Sequence, residues 1–341
     1  MAAVRQVGFA VVGLGAITQG SVLPALAHSK RAKLVALVSR DGAKAKRLAR
    51  RFKAPFAYSM DALAECLSNP EISAVYIATP PGEHACPTIQ AALAGKHVLC
   101  EKPLAARVEQ SRRMVETCRR SGVLLMTAYR KYFEASALYL KRLIQDSALG
   151  RIDVIQSAFS ELYVPGASLS WLINDDLAGG GPLMDLGVYC VNTTRWLVDE
   201  DPIEVHARSW RHDSATFRDV EQGIAFTLRF PSGLVVQATS SYGAVLSSHL
   251  FIQGTKGWLS LTPAFPFDEE RKLTGKIAGK WIQRTFSVAD EFAPELDAFA
   301  SAIQRGSVIE PSGDQGHRDV IILNTVYESA KKAKPVTIRY N

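Results

Sequence analysis

No two cysteines in this chain stand close enough to work together. Cys66, Cys86, Cys100, Cys118 and Cys190 are scattered and form no C-x-x-C pair. That excludes a disulfide scaffold and a zinc site of the usual spacing. An odd number of dispersed thiols suits a reducing compartment, so a cytoplasmic location is expected. Long apolar runs are missing too: none reaches the ~18 residues that a membrane span needs. The first apolar segment reads as a strand with no small-residue cleavage site after it, so no signal peptide is expected. Internal repeats and low-complexity segments are absent. Charge is mildly one-sided, with 40 Lys and Arg against 33 Asp and Glu. The excess is dispersed and accompanies no nucleic-acid motif, so it reads as solubility or as attraction for an anionic cofactor. Neither nucleic acid nor a membrane is an expected partner. At 341 residues, 47% of them hydrophobic, the chain has the length of two ordinary globular domains.

What is present first is a glycine turn. Residues 7–15 read Val-Gly-Phe-Ala-Val-Val-Gly-Leu-Gly, a short apolar run that ends in Gly13 and Gly15. Such a run predicts a buried parallel strand. The glycines allow a tight turn and a close backbone approach. Residues 16–28 predict a helix, whose first N–H groups, at Ala16 and Ile17, would face a pyrophosphate. Strand, glycine turn and helix together are the context of a dinucleotide site. The third glycine of that fingerprint is replaced by Thr18, with Gly20 out of register.

Residues 33–39 predict a second strand. A dinucleotide fold often ends this strand in a carboxylate that bonds the ribose 2′-OH. Here it ends in Ser39 and Arg40, with Lys44 and Lys46 beyond. A hydroxyl and a guanidinium would hold a 2′-phosphate that a carboxylate would repel. The expected cofactor is therefore NADP(H). Helices are predicted over 43–52 and 60–69, the latter with Asp61 as a capping candidate. A strand over 74–78 stops at Thr79, Pro80 and Pro81, and His84 follows as a surface or helix-start histidine beside the cofactor edge. After a helix over 85–94, the strand 98–100 delivers Glu101 and Lys102, held by Pro103, to the same edge. An amphipathic helix over 108–121 and a strand over 123–128 lead to Tyr129 and Arg130. The alternation predicts an α/β, doubly wound parallel sheet.

The pattern changes after that. Strands are predicted over 154–163, 204–211, 223–230, 233–242 and 248–253, with a hairpin turn at Pro231-Ser232-Gly233. Helices are predicted over 137–146, 294–305 and 315–332. The second domain is thus α+β with a largely antiparallel sheet, and the expected division is 1–128 and 129–341. Residues 264–280 carry no clear pattern. Within 177–197, Gly179, Gly180, Gly181 and Pro182 bring the chain close to something before a helix begins. Asp185, Tyr189 and Asn192 are spaced to share one face of that helix. Three polar groups on a mostly apolar helix need partners if buried, and a site is the expected reason for them.

Gly13-Leu-Gly15, Cys100-Glu101-Lys102-Pro103 and the run from Gly179 through Asp185 to Tyr189 resemble the glucose–fructose oxidoreductase / inositol dehydrogenase / rhizopine catabolism (Gfo/Idh/MocA) family. Glu200-Asp201-Pro202-Ile203 adds a likeness to its glucose–fructose and aldose dehydrogenase branch. The resemblance implies a nicotinamide-dependent sugar oxidoreductase with a Rossmann domain and an open-faced sheet that often joins copies as a homodimer or homotetramer. It implies that Lys102 and Asp185 meet the substrate and that Tyr189 is the acid/base. It also puts Thr79, Pro80, His84, Glu101, Lys102 and Arg130 on the cofactor side, with Arg130 also near substrate. Trp171 is expected to stack on a sugar ring. A free phenol ionises near pH 10 and is a poor base at neutral pH; a nearby ammonium such as Lys102 favours the phenolate. The direction stays open between sugar oxidation, keto-sugar reduction and sugar–sugar exchange with retained cofactor. No counterpart of the long N-terminal arm of glucose–fructose oxidoreductase is expected. A non-catalytic NADP-sensing protein is the reading from a different class.

Overall fold

The computed structural model describes residues 6–166 and 169–340. By compactness the chain divides into two units, Met1–Arg130 with Asp290–His317, and Lys131–Ala289 with Arg318–Asn341. The first crossing lies close to the expected 128/129, but the return of Asp290–His317 to the first unit is not foreshadowed in the sequence. Its cause is side-chain packing. On the helix Phe292–Arg305, the Phe299 ring meets Phe9 edge-on at 6.2 Å. Asp297 of the same helix accepts from Ser29 Oγ at 2.6 Å and from the Arg31 N–H at 2.8 Å.

The first unit is a sheet of six strands, β1 (Val7–Val12), β2 (Ala32–Ser39), β3 (Phe56–Ser59), β4 (Ala74–Ile77), β5 (His97–Glu101) and β6 (Leu125–Ala128), in the order β3-β2-β1-β4-β5-β6. Every pairing is parallel. β1 and β4 are buried at every position, which is why both are continuous apolar runs. The order reverses between β1 and β4, and at such a switch point a crevice opens outside the carboxyl ends of the strands. Val12 lies opposite Val38 and Ile77, Ile77 opposite Cys100, and Glu101 opposite Ala128. That register brings Gly13, Arg40, Thr79, Lys102 and Tyr129 out along a single edge. Two local expectations change. The helix after the glycine turn carries a π-turn, Thr18–Val22, before Leu23–His28. Asp61 sits inside the short turn Met60–Ala62 rather than at its N-cap, which is Ser59.

The second unit is a nine-stranded sheet: β7 (Ile152–Ser160), β8 (Glu204–Trp210), β9 (Gly223–Arg229), β10 (Val235–Ser241), β11 (Ser247–Gly254), β12 (Gly257–Thr262), β13 (Arg271–Ile277), β14 (Lys280–Phe286) and β15 (Val336–Thr337). Its order is β14-β13-β12-β11-β7-β10-β9-β8-β15. β7 and β10 are parallel, and the other neighbours antiparallel. The residues without a clear pattern, 264–280, hold β13. That strand alternates buried Arg271, Leu273 and Gly275 with exposed Lys272, Thr274 and Lys276, so only one of its three inward positions is an apolar side chain and a hydrophobicity reading passes over it. Along β10 and β11 buried residues alternate with accessible ones: one face is covered, partly by the helix Val188–Val198, and the other is open. A depression of about 480 Å³ on the open face is lined by residues including Gln156, His206, Phe226, Gln237 and His249.

Candidate active site

The glycine turn of the first unit makes two separate demands. Gly13 has φ +94°, and a Cβ there would lie 2.4 Å from the Ala78 carbonyl oxygen. The fold itself requires glycine at this point. A Cβ on Gly15 would meet none of the described residues within 4 Å, so their packing does not require the second glycine, and the space beside it is open for a ligand. Thr18, the departure from the fingerprint, is fully buried and donates its hydroxyl to the Gly13 carbonyl at 2.8 Å. It fastens the turn from below, a role a third glycine could not take. Gly15 and Ala16 are exposed and Ile17 partly so at the start of the helix. An open cradle beside a helix N-terminus fits a dinucleotide pyrophosphate.

The end of β2 carries the residues expected at a 2′-phosphate. Ser39 Oγ accepts from the Asp41 N–H at 3.2 Å. Asp41 caps the helix Gly42–Phe52 by accepting from the Lys44 N–H at 2.9 Å. Arg40 is exposed and pairs with Glu83 at 3.1 Å. An exposed pair of this kind contributes little to stability, roughly 0–1 kcal/mol, and leaves the guanidinium exchangeable.

Of the two expectations for His84 the helix start holds, since it is the N-cap of Ala85–Leu93, and the surface position does not. His84 is fully buried, with Nε2 2.7 Å from the Thr79 carbonyl and Nδ1 3.2 Å from the Leu104 carbonyl. Burial pushes its pKa down to about 4, so the ring is neutral at pH 7. His84 therefore bears on the cofactor edge through the backbone of two loops, the one after β4 and the one after β5. Pro80 follows Thr79 in the first of these, as the N-cap of the turn Pro81–Glu83. The Thr79 hydroxyl is buried without a hydrogen-bond partner among the described residues.

Glu101 ends β5, Lys102 follows it, and the Lys102–Pro103 peptide is cis. Glu101 accepts from Tyr76 Oη at 2.7 Å and from the Lys102 N–H at 3.1 Å. Burial raises the Glu101 carboxyl above its ordinary range, and raises Glu295 well above it, with Glu101 adding repulsion. Both Glu295 oxygens lack a hydrogen-bond partner among the described residues. A carboxyl so placed keeps its proton. Arg130 was expected on the ligand side. It is 5% exposed and donates to Glu291 at 2.5 Å, so it offers little surface to a ligand and its charge is balanced within its own unit.

In the second unit the glycine run closes on the protein itself. Gly179, with φ +83°, ends the short helix Asp175–Ala178. A Cβ on Gly180 would lie 1.9 Å from Tyr327 Oη, and one on Gly181 would lie 2.4 Å from the Glu221 carbonyl oxygen. Glu221 is 5% exposed and accepts from the Gly181 and Leu183 N–H groups, each at 3.0 Å, and from Tyr327 Oη at 2.9 Å. What the run approaches is this buried carboxylate and its tyrosine. A π-turn, Leu183–Gly187, then leads into Val188–Val198. Across residues 178–195 every position is buried except Asp185.

Asp185, Tyr189 and Asn192 each make contacts within their own unit. Asp185 accepts from Tyr242 Oη at 3.0 Å. The Tyr189 ring packs against Phe159 at 5.7 Å and Phe265 at 5.8 Å. Asn192 donates to Asp319 at 2.7 Å, and Asp319 also receives Arg195 at 2.5 Å. The helix is buried almost all round, and the Asn192 amide is taken up by Asp319. Trp171 is half-buried in the turn Ser170–Ile173; Ala167 and Ser168 of the same loop lie outside the described residues. Sequence reasoning missed Glu221, Tyr242, Tyr327, Glu291 and Glu295. None lies near the motifs in the chain, and the sequence holds no signal that would have found them.

Comparison with known proteins settles the family. The Gfo/Idh/MocA model for oxidoreductases with an NAD-binding Rossmann fold matches residues 7–129, and the model of the Gfo/Idh/MocA C-terminal domain matches residues 137–260. The chain belongs to this family. It is 31% identical to D-xylose 1-dehydrogenase (NADP(+)) of Haloarcula marismortui, over 97% of this chain and 93% of that one. It is 30% identical to 1,5-anhydro-D-fructose reductase of Ensifer adhaerens, over 76% of this chain and 77% of that one. Aldose-aldose oxidoreductase from Caulobacter crescentus, crystallised with glycerol, superposes with a TM-score of 0.93 at 31% identity, over 98% of this chain and 100% of that chain.

Proposed function

We propose that this Gfo/Idh/MocA oxidoreductase oxidises an aldose at C1 to the lactone with NADP as the acceptor. The observation that carries the reading is the likeness, along 97% of the chain, to a D-xylose 1-dehydrogenase that uses NADP(+). The Ser39-Arg40 end of β2, with no carboxylate in the ribose position, supports the cofactor choice. Bound NADP supplies the hydride acceptor at nicotinamide C4. As the C1–H bond breaks and the hydride leaves, the C1 hydroxyl loses its proton to Tyr189 as the acid/base and the C1–O bond becomes a carbonyl. Lys102 is the further catalytic residue of this reading. Asp185 accepts hydrogen bonds from the sugar hydroxyls and fixes the ring, which is a large share of what such a site contributes. Trp171 offers an aromatic face to the sugar. Gly13, Gly15, Ala16, Ile17, Ser39, Arg40, Lys44, Thr79 and Pro80 line the cofactor's path.

Absorbance at 340 nm tests this with purified protein, NADP or NAD, and a panel of aldoses and polyols. Growth with NADP and an aldose is the expected result. Growth with NAD alone would overturn the reading of Arg40. Silence with both, and consumption of NADPH on adding keto-sugars, would move the protein to reduction by the same residues. A second reading is favoured by the 0.93 superposition on aldose-aldose oxidoreductase: two sugars exchange a hydride through a cofactor that stays bound. NADP(H) that survives dialysis, with conversion of one aldose by another without added cofactor, would support it.

The open face of the second sheet is the proposed contact between copies of the chain. Thr227→Arg in its depression should lower the mass measured by light scattering if that face joins protomers. A cytoplasmic location fits the five free cysteines, four of them buried, and no helix among the described residues is long and apolar enough to cross a membrane.

A further inference from the structure

Asp185 occupies an unusual position. It is the accessible residue in a buried stretch, and it sits in a π-turn, an irregularity that often marks functional segments of helices. A carboxylate held only by its own backbone would rotate, and a sugar hydroxyl would meet it in several orientations. Two contacts within the same unit oppose this. Upstream, Glu221 receives the Gly181 and Leu183 N–H groups and so anchors the start of the turn. At the side chain, Tyr242 Oη donates to Asp185 Oδ2 at 3.0 Å.

Both anchors rise from neighbouring strands. Glu221 and Gln222 run into β9, Tyr242 follows β10, and the Tyr242 N–H donates to the Gln222 carbonyl at 2.9 Å. The Tyr242 phenol is itself immobilised. It is 3% exposed, and its ring lies 6.0 Å from Tyr163 and 6.4 Å from Phe217, which are 5.8 Å from each other. A phenol fixed in this way points its single proton in one direction. Burial, with Asp185 beside it, raises its pKa well above the usual phenol value, so it remains a donor.

We propose that Tyr242 is a positioning residue for sugar recognition: its hydroxyl fixes the Asp185 carboxylate as an oriented acceptor, and the Tyr163–Phe217–Tyr242 ring cluster fixes the hydroxyl. The proposal rests on the reading that Asp185 receives the sugar. A carboxylate that already takes one hydrogen bond on Oδ2 stays an acceptor and presents a defined edge to a polyol. Tyr242 makes no contribution to hydride transfer except through Asp185.

The test is a double-mutant cycle with Tyr242→Phe and Asp185→Asn, singly and together. Sugar KM and kcat, NADPH binding by fluorescence and Tm are measured, and rates are normalised to NADPH-binding sites so that a partly unfolded sample does not register as a loss. Tyr242→Phe keeps the ring in its cluster and removes only the donor. It is expected to lower kcat/KM for the sugar by roughly tenfold to a hundredfold, mostly through KM, as for a lost hydrogen bond to a charged group. NADPH binding is expected to stay at the wild-type value. In the Asp185→Asn background the same change is expected to cost nothing further. An equal loss in both backgrounds, or no loss in the wild-type background, overturns the role of Tyr242 while leaving Asp185 in place. If Asp185→Asn alone leaves sugar kcat/KM unchanged, the reading of Asp185 falls and the proposal falls with it.

Discussion

The two glycine segments look alike in sequence and serve opposite ends. At Gly13 and Gly15 one glycine is demanded by the fold and the other leaves a space that none of the described residues fills. At Gly180 and Gly181 the space is filled by the protein's own Tyr327 and Glu221. The first segment keeps room for a ligand and the second keeps room for an anchor. A run of glycines therefore reports a close approach, and only the surroundings say whether the approaching partner is foreign. The same contrast separates the chemistry. The first segment leads to the backbone N–H groups of the proposed cofactor site, and the second to Asp185 and Tyr189, the proposed substrate and acid/base residues.

The largest expected effect tests that division of labour. Tyr189→Phe removes the proposed acid/base and should lower kcat by about 10²–10⁴, with NADPH binding nearly intact. Its ring contacts with Phe159 and Phe265 remain. Unchanged turnover would remove Tyr189 from the reaction. Next are the glycines that the fold demands. Gly181→Ala drives a Cβ against the Glu221 backbone oxygen, and Gly13→Ala drives one against Ala78 while holding a φ that L-residues rarely adopt. Each should cost several kcal/mol, visible as a large loss of Tm. A Gly181→Ala protein that melts with wild type would mean that the second segment is not packed as described.

A pH dependence sharpens the comparison, because the anchors of the two segments titrate in opposite senses. His84 ties the loops of the first edge, and burial holds its folded pKa near 4 against an unfolded value of about 6.5. The unfolded chain takes up the proton first, so stability is full above about pH 6.5 and is lost as pH falls toward 4. By linkage that loss is about 3 kcal/mol. Glu221 lies the other way: burial raises its folded pKa, so its contribution is present at low pH and lost as pH rises through that value. Denaturant melts between pH 7 and 4 should show a steeper acid slope in wild type than in His84→Asn. Equal slopes would show that His84 titrates normally.

Much of the first unit was legible because its determinants are local. The β1 run, the glycine turn, Ser39-Arg40 and Glu101-Lys102 each sit at the end of one strand, and a parallel register lines strand ends up without further information. Position along the chain was therefore enough to put them on one edge. The second unit was legible as strands and as an Asp185–Tyr189 helix, but not as a network. Glu221, Tyr242 and Tyr327 are brought to the glycine run by tertiary pairing across long separations, and no period or spacing encodes that. Asn192 has a partner of the same kind. Helical spacing put it on a face with Asp185, and in a helix buried almost all round its amide is taken up by Asp319. His84 and Arg130 are similar cases: both were expected on the cofactor side, and both are buried. The return of Asp290–His317 depends on Phe299 and Asp297 finding Phe9 and Ser29, contacts invisible to any local reading.

Gly15→Ala is the smallest change and the most direct test of the central contrast. Thermal melts of this variant and wild type are compared with and without saturating NADPH. The Cβ enters open space, so the unliganded Tm should equal wild type, while the NADPH-induced rise in Tm should shrink or vanish. A variant that keeps the full NADPH-induced rise would contradict the claim that the space beside Gly15 is held for the cofactor.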